Sequence, residues 1–108
     1  MSQSLDGFLH RIIEKLTDNK TAIGFEQLEV GSTVIGFQNI PDGAVSCEIS
    51  VDTADCRCIE YGDVPGIGYG MLRSTGDLFE ITTAQNISTV KFIAETGTDS
   101  ILNITYYK

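Results

Sequence analysis

The chain has 108 residues, 42% of them hydrophobic and 20% charged, which fits one globular domain and is too apolar for a disordered chain. Lys and Arg number 7 against 15 Asp and Glu, a formal net charge of −8 that repels phosphate backbones and disfavours nucleic-acid binding. The single histidine, His10, excludes any site that needs two, and no stretch approaches the about 20 apolar residues that span a bilayer.

Residues 4–17 are predicted to form a helix. Leu5, Phe8, Leu9, Ile12, Ile13 and Leu16 recur at helical spacing, Ser4 stands at the N-cap position and Asp6 in the favoured first turn. Arg11, Glu14, Lys15 and Asp18 form the polar face. An amphipathic helix must bury its apolar stripe. Either the stripe covers an open end of a β core, or identical helices pack together. In the second case Phe8, Leu9, Ile12 and Leu16 are the oligomer contact. Asp6, His10, Arg11 and Glu14 interrupt the apolar positions, which argues against a secretory signal peptide. Three cysteines, an odd count, argue against a secreted disulfide scaffold.

Beyond Asp18-Asn19-Lys20 the pattern changes. Eleven glycines punctuate short runs rich in Val, Ile, Thr, Phe and Tyr, the signature of strands and turns. Strands are predicted over 21–30 and 32–38, then a turn at Asn39-Ile40-Pro41-Asp42-Gly43. From Ala44 to Val51 the alternation sets Val45, Cys47, Ile49 and Val51 against Ser46, Glu48 and Ser50. Further strands are predicted over 55–61, 69–73, 77–82, 89–95 and 100–107, with a short helical turn or coil over 83–88. Seven or eight short strands with one N-terminal helix predict an all-β domain over 1–108: an antiparallel β-sandwich, jelly-roll-like.

Four groups of residues bear on chemistry. Cys56 and Cys58 share one strand face; if Val51 pairs with Cys56 across the 52–55 turn, Cys47 joins them, facing Glu60. A metal site with His10 or Glu60 added matches zinc spacing weakly, and buried core thiols are the expectation. Gly66-Ile67-Gly68-Tyr69-Gly70 lacks the Lys-Ser/Thr or following helix of a phosphate loop and reads as a hairpin loop. Asp52, Asp55 and Asp63 are placed at turns sharing one end of the sandwich, without EF-hand order. Ser and Thr lack a histidine to activate them, and no nucleophile elbow is present. Tyr61, Tyr69, Tyr106 and Tyr107 offer a sugar-stacking platform in a chain without tryptophan; in terminal strands, half-buried packing with a wet hydroxyl is expected. No catalytic, cofactor-binding or metal-binding residue is assigned.

One stretch carries a family resemblance. Ala44-Val45-Ser46-Cys47-Glu48-Ile49-Ser50-Val51 is followed by Cys56-Arg57-Cys58-Ile59-Glu60-Tyr61-Gly62. Then come Pro65, Gly70-Met71-Leu72, Gly76-Asp77, Val90-Lys91-Phe92-Ile93-Ala94 and Leu102-Asn103-Ile104-Thr105-Tyr106-Tyr107. From Ala44 to the C-terminus this pattern resembles small β-rich proteins of tailed bacteriophages and prophages. Cys56 and Cys58 depart from it, standing where the family prefers larger apolar residues, and the 66–69 loop is richer in glycine. The resemblance implies a non-enzymatic virion protein: a capsid decoration, head-fibre or tail-associated subunit. Its implied partners are copies of itself, as a trimer for example, and phage capsid or tail proteins, with neither nucleic acid nor membrane. It would be made in the bacterial cytoplasm and end in the virion. The alternative is a small ligand-binding β module, carbohydrate-binding or cupin-like, which predicts a concave face or loop end lined by Tyr and carboxylates. A cupin enzyme wants two or three His ligands, and this chain has one.

Overall fold

In a computed structural model residues 20–108 are described. The predicted helix over 4–17, with Phe8, Leu9, Ile12 and Leu16, and His10 beside them, lies outside the described residues. The rest is mostly β, in two antiparallel sheets.

The last strand organises the larger sheet. In β7 (Ser100–Tyr107), Ser100, Leu102, Ile104 and Tyr106 are buried and the residues between them are half-buried. That period of two gives one face to the core. β7 pairs on one side with β1 (Ala22–Val30) and on the other with β2 (Ser46–Asp52). β2 buries Cys47, Ile49 and Val51, three of the four residues predicted to share a face; Val45, the fourth, precedes the strand and is exposed. β2 pairs in turn with β5 (Leu78–Ile81). The order is β1-β7-β2-β5. The smaller sheet is β4 (Met71–Arg73), β3 (Cys56–Ile59) and β6 (Lys91–Ala94), with β3 in the middle. A six-residue helix, α1 (Ala84–Thr89), joins β5 to β6 where a short helical turn or coil was predicted. The hydroxyl oxygen of Thr83 caps it, accepting from the Asn86 amide at 3.1 Å, and Ile87 is buried beneath. Buried residues of both sheets, Ile49 and Leu102 from one and Cys58 and Phe92 from the other among them, form one hydrophobic cluster.

Two sequence expectations fail. Residues 32–38 do not form a strand; Ile35 alone makes a bridge, exchanging backbone hydrogen bonds with Phe92 at 3.0 and 2.8 Å. The cause lies in Glu26, buried on β1. Its carboxylate accepts from the Gln38 and Asn39 amides at 3.2 Å each, so those donors are unavailable to a ladder. Phe37 still serves the core, its ring centroid 5.4 Å from that of Phe92 and 5.7 Å from that of Tyr106.

The second failure is the pairing of Val51 with Cys56. β2 and β3 belong to different sheets: Val51 faces Leu102, and Cys56 faces Arg73 and Ala94. The connection turns sharply. Ala54 donates to the Asp52 carbonyl at 2.9 Å, and Thr53 takes a left-handed φ of 75°, unusual for a β-branched residue. The chain thus leaves one sheet and enters the other within three residues.

The sheets are tied at both margins. The Arg73 guanidinium of β4 stacks 4.0 Å from the ring centroid of Phe79 on β5. On the other margin the Ala94 amide of β6 donates to the Gly31 carbonyl at 2.9 Å, just past β1. No helix among the described residues is long and apolar enough to cross a membrane.

Candidate functional site

The segment from Glu60 to Leu72 leaves β3, loops outward and returns as β4. It carries six large apolar side chains that are exposed: Tyr61, Val64, Ile67, Tyr69, Met71 and Leu72. Single exposed apolar residues are ordinary, but a contiguous group marks a contact or binding surface.

The loop is held rather than loose. Arg57 on β3 is paired with Glu95 and donates a second hydrogen bond to the Gly70 carbonyl at 3.0 Å. Glu95 also accepts from the Gly68 amide at 3.0 Å. The Arg57 hydrogen bond holds the Glu95 carboxyl below the ordinary carboxylate range. Gly66 and Tyr69 exchange backbone hydrogen bonds at 3.0 and 2.9 Å, closing a small turn. Gly70 must be glycine: its φ is +118°, and an added Cβ would sit 3.1 Å from the Cys58 carbonyl oxygen. The glycine run predicted as a hairpin loop is therefore a loop, with these two backbone demands as its reason.

Asp63 fixes the ring of Tyr69. The Tyr69 hydroxyl donates to Oδ2 of Asp63 at 2.8 Å, and Oδ1 accepts from the Val64 amide at 2.8 Å. The shared bond lowers the Asp63 pKa and raises that of Tyr69. Beside Tyr69 opens a cavity of about 360 Å³, lined by Cys58, Ile59, Glu60, Tyr61, Tyr69, Gly70 and Met71. Its walls are mainly aromatic and aliphatic, with the Glu60 carboxylate as the charged group. Asn86 donates to that carboxylate at 3.3 Å, linking the cavity to α1.

The cysteines are elsewhere in character. Cys47, Cys56 and Cys58 are free and fully buried, Cys47 on one sheet and the other two on the second, rather than on one hairpin. Cys47 faces Ile81 and Tyr106, not Glu60. Burial pushes the Cys47 thiol up to about 12 and Cys56 to about 11, and raises Cys58 too. A nucleophilic or metal-binding cysteine needs its thiolate, and burial here disfavours it. Among the described residues no three His, Cys, Asp or Glu side chains are grouped to hold a metal ion.

The aspartates do not share one end. Asp52 and Asp55 precede β3 and Asp63 follows it. Asp52 accepts from Asn103 at 2.6 Å, and Asp55 from the Thr75 amide at 2.8 Å, which are turn-fixing roles. The tyrosines divide as well. Tyr61 and Tyr69 line the cavity, whereas Tyr106 is fully buried with its hydroxyl bonded to Glu26, not half-buried and wet. Tyr107 is half-buried, with the Lys20 ammonium 5.5 Å from its ring centroid. Glu60 and Met71 had no sequence signal as cavity residues. The available clue was the density of large apolar residues in a glycine-rich loop.

The chain matches no protein-family model, no curated protein and no solved structure.

Proposed function

We propose that this chain is a jelly-roll subunit of a tailed-phage particle, a capsid decoration, head-fibre or tail-associated protein that acts through protein–protein contacts and catalyses nothing. The observation that carries the reading is the order of antiparallel pairs. With Ile35 counted as the second of eight strand positions, β1 and β7 are first with eighth, and Ile35 and β6 second with seventh. β2 and β5 are third with sixth, and β3 and β4 fourth with fifth. That pairing order supports reading the chain as one long ribbon folded on itself, an arrangement common in viral capsid and lectin domains. A fold hosts many functions, so the contact role draws on two further supports. One is the resemblance of the Ala44-to-C-terminus pattern to small phage proteins. The other is the exposed apolar segment from Tyr61 to Leu72. Repeated copies on a symmetric shell would sum weak contacts by multivalency.

The test is banding of phage particles from a host that encodes the chain. Comigration of the protein with the particle band through a density gradient is expected. Recovery only in the soluble fraction would overturn the reading.

A second reading, a carbohydrate-binding module, is favoured by the Tyr61, Tyr69 and Glu60 lining of the cavity. Retention on immobilised sugars that is lost in Tyr61→Ala would select it.

A further inference from the structure

We propose that the cavity beside β4 receives a cationic side chain, arginine or lysine, presented by a partner protein. The inference rests on the contact reading above and supplies its chemistry. Two tyrosines, Tyr61 and Tyr69, line the cavity together with the aliphatic Ile59 and Met71 and the acidic Glu60. A cation over a tyrosine face is attracted by the ring quadrupole, and the methylene stem of Arg or Lys packs on apolar walls. The hydrogen bond from Tyr69 to the Asp63 carboxylate makes that ring more electron-rich and fixes its angle.

Among the described residues no lysine or arginine lines the cavity. Of the arginines nearest in sequence, Arg57 is paired with Glu95 and bonded to the Gly70 carbonyl, and Arg73 stacks on the Phe79 ring beside the buried Cys58 thiol. The lining itself is thus aromatic, aliphatic and acidic. A volume of about 360 Å³ lies at the small end of ligand sites and accommodates one side chain. The net charge of −8 draws basic surfaces. A neutral sugar would stack on the rings and donate a hydroxyl to Glu60 but would not be drawn by the net charge.

The experiment uses the full chain, isotopically labelled, at low salt. Its backbone amide resonances are followed while N-acetyl-arginine amide, N-acetyl-lysine amide and N-acetyl-citrulline amide are added in turn. Citrulline has nearly the shape of arginine without its charge. Saturating shifts at Tyr61, Tyr69, Gly70 and Met71 are expected. The arginine or lysine probe should bind at least about fivefold more tightly than citrulline. The tighter cation identifies the partner side chain. Glu60→Gln and Tyr61→Ala should each weaken it several-fold while the spectrum stays dispersed. Equal binding of citrulline, or shifts scattered over the acidic surface without saturation at the cavity, would overturn the proposal. So would glucose or galactose shifting these resonances where the cations do not. Failure here with comigration in the gradient removes the cation site alone. Cation binding without comigration keeps the site and removes the virion reading.

Discussion

Tyr106 donates its phenolic hydrogen to the carboxylate of Glu26, two positions out of register on the neighbouring strand. The same carboxylate accepts the Gln38 and Asn39 amides, so one buried charge joins β1, β7 and the segment that enters the second sheet. A buried carboxylate is tolerable only with such donors.

Glu26→Gln should therefore destabilise the fold by about 1–3 kcal/mol, because its amide group turns a donor toward donors. Tyr106→Phe should cost about 1–2 kcal/mol by removing one hydrogen bond. Urea unfolding of the two variants checks both values, and a cost near zero for Glu26→Gln would mean the segment is held otherwise.

The thiols predict an alkaline limit. Cys47 and Cys56 ionise near 12 and 11 when folded, against an ordinary 9.0. Above pH 9 the unfolded chain loses these protons while the folded chain keeps them. Their contribution to stability is complete below pH 9 and falls as pH rises through 11 to 12. Tyr106, raised from 10.0 by burial and by Glu26, acts in the same direction above pH 10. The urea midpoint should drop steadily from pH 8.5 to 10.5, and a thiol reagent should label the cysteines only after denaturation. Rapid labelling of the folded protein would show that the thiols are open to solvent.

Glu95 has the opposite sign. Its lowered pKa makes the Arg57–Glu95–Gly68 clip complete above the ordinary 4.5 and lost as pH falls through the lower folded value. Glu95→Gln should speed hydrogen exchange at the Gly68 amide while leaving the urea midpoint nearly unchanged, since the pair is at the surface. Gly70→Ala should instead cost about 1–3 kcal/mol, from its positive φ and the close Cys58 carbonyl.

The apolar positions of 4–17 bear on assembly. If identical copies pack through this stripe, Leu9→Asp combined with Ile12→Asp should convert that oligomer to monomer and leave the β spectrum intact, as read by light scattering and circular dichroism. Loss of the β spectrum would assign the stripe to the subunit core instead.

Much of the fold was legible because a half-buried strand writes its face into every second residue. Ser100, Leu102, Ile104 and Tyr106 alternate, as do Cys47, Ile49 and Val51, and all are buried. Pairing was less legible, because alternation names a face and not a neighbour. Val51 and Cys56 are close in sequence, yet a left-handed Thr53 sends them to different sheets. The 32–38 run had strand composition, but a carboxylate six residues upstream of its start binds the amides at its end, Gln38 and Asn39. The cavity was the least legible part. It joins Cys58 and Ile59 to Tyr69 and Met71, and their proximity depends on Arg57 and Glu95 holding the loop down.

The proposed role is tested most directly by electron cryomicroscopy of particles assembled with and without this chain. The account predicts difference density at symmetry-repeated positions on the shell or tail, each position fitting the two facing sheets, with the Tyr61–Leu72 edge at a contact. Identical density in the two preparations would contradict it.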